Sequence, residues 1–325
     1  MSRQPFRIGV SFHSFTNEYC SFVWSFEDMM QHAADLGGGV EIVGPAHHRG
    51  FPEVSDEFER IFKSAVERYG LTPTSYGSYA DPFMLPDRNL TPDEIFAYTV
   101  PQIKGAAKLG FPVVRLQHFA DVAAERLLPY AEKYGVKMGY ELHVPLMIEA
   151  PRTQELIAQI KRLSSEHLGL IPDAGIFARS ISKRHIQEGR DAGLSEHVLN
   201  RALELWALKT PLEQALVELQ ALGARDKRAE SWVGAIWDTF GFSEPAAIAE
   251  IMPYMIHFHG KFFHIENGDE PDLRYEEIVR ALLENGYTGW MSSEYEGNAS
   301  NSLAVVQAHQ VMIKRYIAQY TQGAA

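Results

Sequence analysis

AAKLGFPVVRL, residues 106–116, packs a helix-forming run, a closing glycine and an apolar β-branched run into eleven positions. AADLGGGVEIV at 33–43 and LLENGYTGWMSSE at 282–294 repeat the design. A strand entered from a helix in this way belongs in a parallel sheet, because parallel neighbours need a crossover of about a dozen residues or more. Reading outward gives eight strand candidates, at 7–12, 39–43, 73–79, 112–117, 136–141, 168–172, 254–259 and 289–294, with helical periodicity filling most of the gaps. Eight βα units predict an α/β fold, a (β/α)8 TIM barrel, with residues 1–325 in a single domain.

The helices carry start and stop signals. Ser25 precedes FEDMMQHAADLG, Thr91-Pro92-Asp93-Glu94 opens a run to Leu109-Gly110, and Tyr275-Glu276-Glu277 leads to Asn285-Gly286. Residues 174–245 are too long for one crossover. They read as a helical insertion between strands six and seven, either a solvated excursion or a lid or subunit contact.

Composition narrows the function. A net charge of −12 disfavours nucleic acid and anionic membrane as partners, since both demand a cationic surface. No run of about 18 apolar residues suggests a membrane span, and the N-terminus lacks a secretion signal. Cys20 is the only cysteine, so an internal disulfide and a thiolate metal site are both excluded. A cytoplasmic metabolic protein is expected.

Four side chains fall at the predicted ends of the last four strands: Glu141 in MGYELHVP, Asp173 in GLIPDAG, His259 in MIHFHGKF and Glu294 in GWMSSEYE. Barrel closure would set them along one arc of the rim, where TIM barrels do their chemistry. Three carboxylates and one imidazole suit a divalent metal, Mn²⁺, Mg²⁺, Co²⁺ or Zn²⁺. Taken singly, Asp173 could cap the next helix, His259 could be a core histidine and Glu294 could be a paired rim carboxylate.

Residues two apart on a strand share a face. Glu141 with His143, His257 with His259, and Glu294 with Glu296 therefore put paired titratable groups at the same mouth. His143 is the leading general acid/base, with Glu294 and Glu141 as alternative catalytic bases. His13, Glu41, Tyr79, Gln117 and His118, from the first four strand ends, join His257, Lys261 and Glu296 as candidate substrate-binding residues. Phe12, Phe15, Phe83 and Phe119 are core candidates that could instead stack on substrate. Arg115 and Lys261 could bind a phosphate, but the loops after strands seven and eight lack a glycine-rich cradle, which favours an unphosphorylated substrate.

With these residues in view, the chain resembles the xylose isomerase-like superfamily, through ELH at Glu141, PDAG at Asp173, HGK at His259 and SSEYE at Glu294. Where that superfamily commonly follows H-x-K with Asp, this chain has Phe262. Within it, the stretches VSFHSFTNEYCSF, YGSYADPF, RLQHFA, GYELHVP and IHFHGKFF most resemble the catalytic alpha subunits of bacterial C-glycoside deglycosidases. That resemblance implies a metal-dependent carbon–carbon lyase acting on a 3-oxo-glucosyl aromatic compound by enediolate formation and elimination. It also implies Mn²⁺ as the preferred metal, a small beta subunit and a heteromeric oligomer. Two alternatives stay open: a keto-sugar isomerase, epimerase or inosose-type dehydratase, and a non-catalytic, metal-stabilised subunit of a complex.

Overall fold

Residues 5–80, 84–117 and 123–322 are described by a computed structural model of the chain. Eight parallel strands form one sheet: β1 Arg7–Ser11, β2 Gly39–Val43, β3 Thr72–Ser78, β4 Val113–Leu116, β5 Lys137–Leu142, β6 Leu168–Pro172, β7 Phe258–Phe262 and β8 Trp290–Tyr295. Hydrogen bonds link them in the order β6-β5-β4-β3-β2-β1-β8-β7. Parallel bridges Leu170↔Met255 and Asp173↔His259 close the remaining seam. The fold is a (β/α)8 TIM barrel.

Seven strands lie within two residues of their expected bounds. The seventh does not: it begins at Phe258, because Met252–Tyr254, with Pro253 inside it, winds into a 3-10 turn. His259 is thus the second residue of β7 and not its last, yet the slant of the seam still brings it level with Asp173.

The capping chemistry read from sequence operates. Ser25 with Asp28, and Thr91 with Glu94, form reciprocal capping boxes at the helices Phe26–Asp35 and Pro92–Leu109. Gly110 ends the second at φ 89°, a left-handed conformation that suits glycine. At the barrel floor, a Cβ on Gly39 would come 2.4 Å from the Trp290 ring, so a small residue on one strand makes room for a large one.

Between β6 and β7 the chain runs through the helices Lys183–Asp191, Glu196–Ala207, Leu212–Ala221 and Lys227–Thr239. They pack through Trp206 and Trp232, whose indole N–H groups donate to Phe240 O at 3.0 Å and His185 O at 2.6 Å. Among the described residues, no helix is long and apolar enough to cross a membrane.

Candidate active site

The barrel's C-terminal mouth is polar and buried. Glu41 on β2, Arg115 on β4, Glu141 on β5, Asp173 just after β6, His259 and Lys261 on β7 and Glu294 on β8 are all under a tenth exposed. Charged groups enclosed to this degree need partners, and here they partner one another.

His259 is the hub. Its Nε2 lies 2.9 Å from Glu41 Oε1, and Nδ1 faces Glu141 Oε1 at 3.1 Å, Glu294 Oε2 at 3.2 Å and Asp173 Oδ2 at 4.0 Å. Ligand atoms from Glu141, Asp173, His259 and Glu294 all lie within 4.8 Å of one another. Neither His259 Nδ1 nor Asp173 Oδ2 has an aligned hydrogen-bond partner, although both are buried. Orphaned donor atoms of this kind, three carboxylates and one imidazole, fit a divalent cation.

The electrostatics agree. Burial alone would strip the proton from His259, but Glu294, Glu41 and Glu141 hold its pKa well above the usual imidazole range. Burial pushes Glu294 up, and the imidazolium overrides it to bring the carboxyl down to about 2. Burial also raises Glu141, where Arg115 and His259 win and keep it well below normal. At Asp173 burial prevails over Lys261 and lifts the acid to about 6. A ligating imidazole nitrogen must give up its proton, so a cation would replace the positive charge this ring otherwise carries.

Arg115 and Lys261 balance the cluster from either side. Arg115 donates from Nη1 to Glu141 Oε2 at 2.5 Å, and its Nε lies 3.9 Å from Glu41. Lys261 Nζ sits 3.5 Å from Asp173 Oδ2 and 3.1 Å from Glu296 Oε1. Both basic side chains are paired with carboxylates. Tyr275 fixes the Lys261 backbone by donating to its carbonyl at 2.6 Å.

The remaining candidates separate into two groups. Glu41, expected among the sugar contacts, lies beneath His259, where it accepts from Ser11 Oγ at 3.1 Å and meets His257 Nε2 at 3.2 Å. With no exposed surface, Glu41 is placed to orient the imidazole. His257 is equally enclosed, 2.8 Å from Ser292 Oγ. Phe12 and Phe15 are wholly buried in the core. His143 and Glu296, by contrast, are partly exposed, as are His13, Tyr79 and Gln117. His143 Nδ1 donates to Val144 O at 3.0 Å, His13 Nε2 stands 3.8 Å from Glu296 Oε1, and Gln117 Oε1 is buried without a partner. Tyr79 lies under the Arg115 guanidinium at 5.6 Å. His118, Phe83 and Phe119 fall outside the described residues.

A cavity of about 390 Å³ opens beside this group, between His13, Arg184, His185, Tyr295 and Glu296. Arg184 and His185 come from the first helix after β6 and were not legible as site residues; the nearest signal was the charged run that contains them. Phe262, in the position of the expected Asp, faces away from the site and stacks on His309 at 3.9 Å.

The chain is 37% identical over 308 residues to the 3'-dehydrocarminate deglycosidase alpha subunit of a Microbacterium species, covering 90% of this chain and 88% of that protein. It is 31% identical over 323 residues to a C-glycoside deglycosidase alpha subunit of Arthrobacter globiformis, covering 95% and 92%. The chain belongs to the C-glycoside deglycosidase alpha-subunit family. No protein-family profile matches it. Solved structures similar to this deglycosidase-family chain include a D-tagatose 3-epimerase-like protein, at TM-score 0.54 and 16% identity over 98% of this chain and 100% of that one. Another is the 3-keto-D-glucoside 4-epimerase YcjR of E. coli, at TM-score 0.52 and 13% identity over 96% and 99%. At such identities they speak for the barrel alone. Family membership makes the chain an enzyme.

Proposed function

We propose that the chain is the catalytic subunit of a C-glycoside deglycosidase, a lyase that splits the bond between C1 of a 3-oxo-glucosyl unit and an aromatic carbon. The observation that carries this reading is the enclosure of His259 Nδ1 by oxygens of Glu141, Asp173 and Glu294, in a chain 37% identical to a protein named for deglycosidation of 3'-dehydrocarminate. A divalent cation, Mn²⁺ by preference, would be held by Glu141, Asp173, His259 and Glu294 and would supply Lewis acidity at the 3-oxo oxygen.

The chain's own residues do the rest. His143 donates Nδ1–H to Val144 O, which leaves Nε2 as the basic nitrogen, and that nitrogen takes the proton from C2. The C2–H electron pair becomes the C2=C3 bond of an enediolate. It then moves to form C1=C2 as the C1–aryl bond breaks, and the aryl carbon takes the proton that His143 carries. The products are the free aglycone and a 1,2-unsaturated 3-oxo sugar, with no net oxidation. Lys261, fixed between Asp173 and Glu296, sets an ammonium beside the oxygen that gains charge.

His13, Tyr79, Gln117, His118 and Glu296 are the proposed hydroxyl contacts. Residues 174–245 are read as an insertion within the single domain, whose Arg184 and His185 line the cavity beside His13 and Glu296. The designation of the relatives as alpha subunits supports a small beta subunit here, and hence an oligomer. The single cysteine supports a cytoplasmic location.

A substrate panel tests the reading, using the purified chain alone and co-expressed with a small partner, with and without Mn²⁺. Aglycone release from a 3-oxo-C-glucoside, only with metal, is expected. An epimerised free ketose beside an untouched glucoside would replace the lyase with an epimerase.

A further inference from the structure

Two residues beyond β7 a second group of ligand-type side chains assembles, apart from the barrel mouth. His264, Glu270 and Asp272 each offer an atom within 4.8 Å of the others. Glu270 is 4% exposed and Asp272 5%. Each carboxylate is half satisfied. Glu270 Oε2 accepts the backbone N–H groups of Asp272 at 2.8 Å and Leu273 at 2.5 Å, and Asp272 Oδ1 accepts the Ser180 hydroxyl at 2.7 Å. The other oxygens, Glu270 Oε1 and Asp272 Oδ2, are buried without a donor. His264 Nδ1 stands 3.6 Å from Asp272 Oδ2, and its Nε2 is also without a hydrogen-bond partner.

Charge balance sharpens the point. Among the described residues, no arginine or lysine forms an ion pair with Glu270 or Asp272, and Lys183, the lysine on that side, is held by Glu266 at 2.7 Å. Two enclosed carboxylates side by side cannot both stay ionised unless a positive charge joins them. Either they share one proton, or His264 stands charged beside Asp272, or they share a cation.

We propose that His264, Glu270 and Asp272 form a second divalent-cation site, separate from the one at the barrel mouth. The two free carboxylate oxygens and the imidazole make a three-ligand set suited to Zn²⁺ or Mn²⁺, with water completing the shell. His264 gives access, since it lines a cavity of about 560 Å³ with Lys183, Arg184 and Tyr295. The ion would tie the end of β7 to the start of the helix Tyr275–Glu284 and, through Asp272, to Ser180 after β6. It would brace the strand that carries His259 and Lys261 without touching substrate.

The test is a metal count on the intact chain, stripped with chelator and reloaded with Mn²⁺ alone or Zn²⁺ alone, then desalted and analysed for metal. Two ions per wild-type chain are expected with at least one of these metals. One should remain in Glu270→Gln/Asp272→Asn and one in Glu141→Gln/Glu294→Gln. A single ion in the wild type, lost with the barrel-mouth pair, overturns the proposal in favour of a shared proton or a charged His264. So does a Glu270→Gln/Asp272→Asn chain that still holds two. His264 is only partly buried, so His264→Asn gives an arm that spares the fold: with circular dichroism unchanged, the second ion should bind roughly tenfold weaker or worse. Unchanged affinity for two ions would refute the assignment. The two sites fail independently, because each double substitution removes a different ion.

Discussion

Glu41 Oε1 lies 2.9 Å from His259 Nε2 beneath the mouth of the barrel, with neither side chain exposed. That contact decides which imidazole nitrogen meets Glu141, Asp173 and Glu294. Carboxylates that orient a ligating histidine in this way typically contribute 10- to 100-fold in metal affinity. Glu41→Ala should therefore weaken Mn²⁺ binding by about that factor while all four proposed ligands remain. Calorimetric titration checks it, and affinity equal to wild type would deny Glu41 an orienting role.

Arg115 is the buried counter-charge of Glu141, at 2.5 Å. Removing one partner of such a pair strands the other, at a cost of about 3–5 kcal/mol. Arg115→Met should lower the melting temperature of the metal-free chain, and adding Glu141→Gln should restore much of the loss. Equal and additive losses in the double-mutant cycle would mean that the pair is not energetically coupled.

His143 donates to its neighbour's carbonyl and is not one of the four grouped ligand-type side chains. His143→Ala should leave the metal content unchanged and reduce kcat for aglycone release by roughly 10²- to 10⁴-fold, the usual worth of a general acid/base. Normal turnover would pass the role to Glu294 or Glu141.

His309 stacks on Phe262 and lies 3.1 Å from Ser293 Oγ, and burial pushes its imidazole down to about 3. A histidine whose folded pKa is depressed adds stability above its unfolded value, near 6.5, and loses it as pH falls toward the folded value. Between about pH 6.5 and 4 the wild type should lose melting temperature faster than His309→Gln. Parallel curves would show that this ring does not set the acid limb.

The barrel was legible because helix caps, closing glycines and β-branched runs are local signals, and eight of them in series admit few topologies. The four-residue cluster was legible for a related reason: successive parallel strands put their ends on one rim. Contacts that depend on side-chain reach across strands were not. Nothing in RLQHFA says that Arg115 spans to Glu141, and nothing in GVEIV says that Glu41 turns under His259. Pro253 moved the start of β7 by four residues, and the bridge from Asp173 to His259 absorbed the error. Arg184 and His185 reach the mouth only through the packing of a charged helix, which its periodicity could not aim.

Proton removal at C2 followed by carbon–carbon cleavage is best tested by offering the Mn²⁺-loaded chain, with its small partner, a 3-oxo-C-glucoside carrying deuterium at C2. Aglycone release is expected to slow relative to the protio compound in single turnover, and to stop when the metal is chelated. Release at the same rate from both compounds, undiminished by chelator, would contradict it.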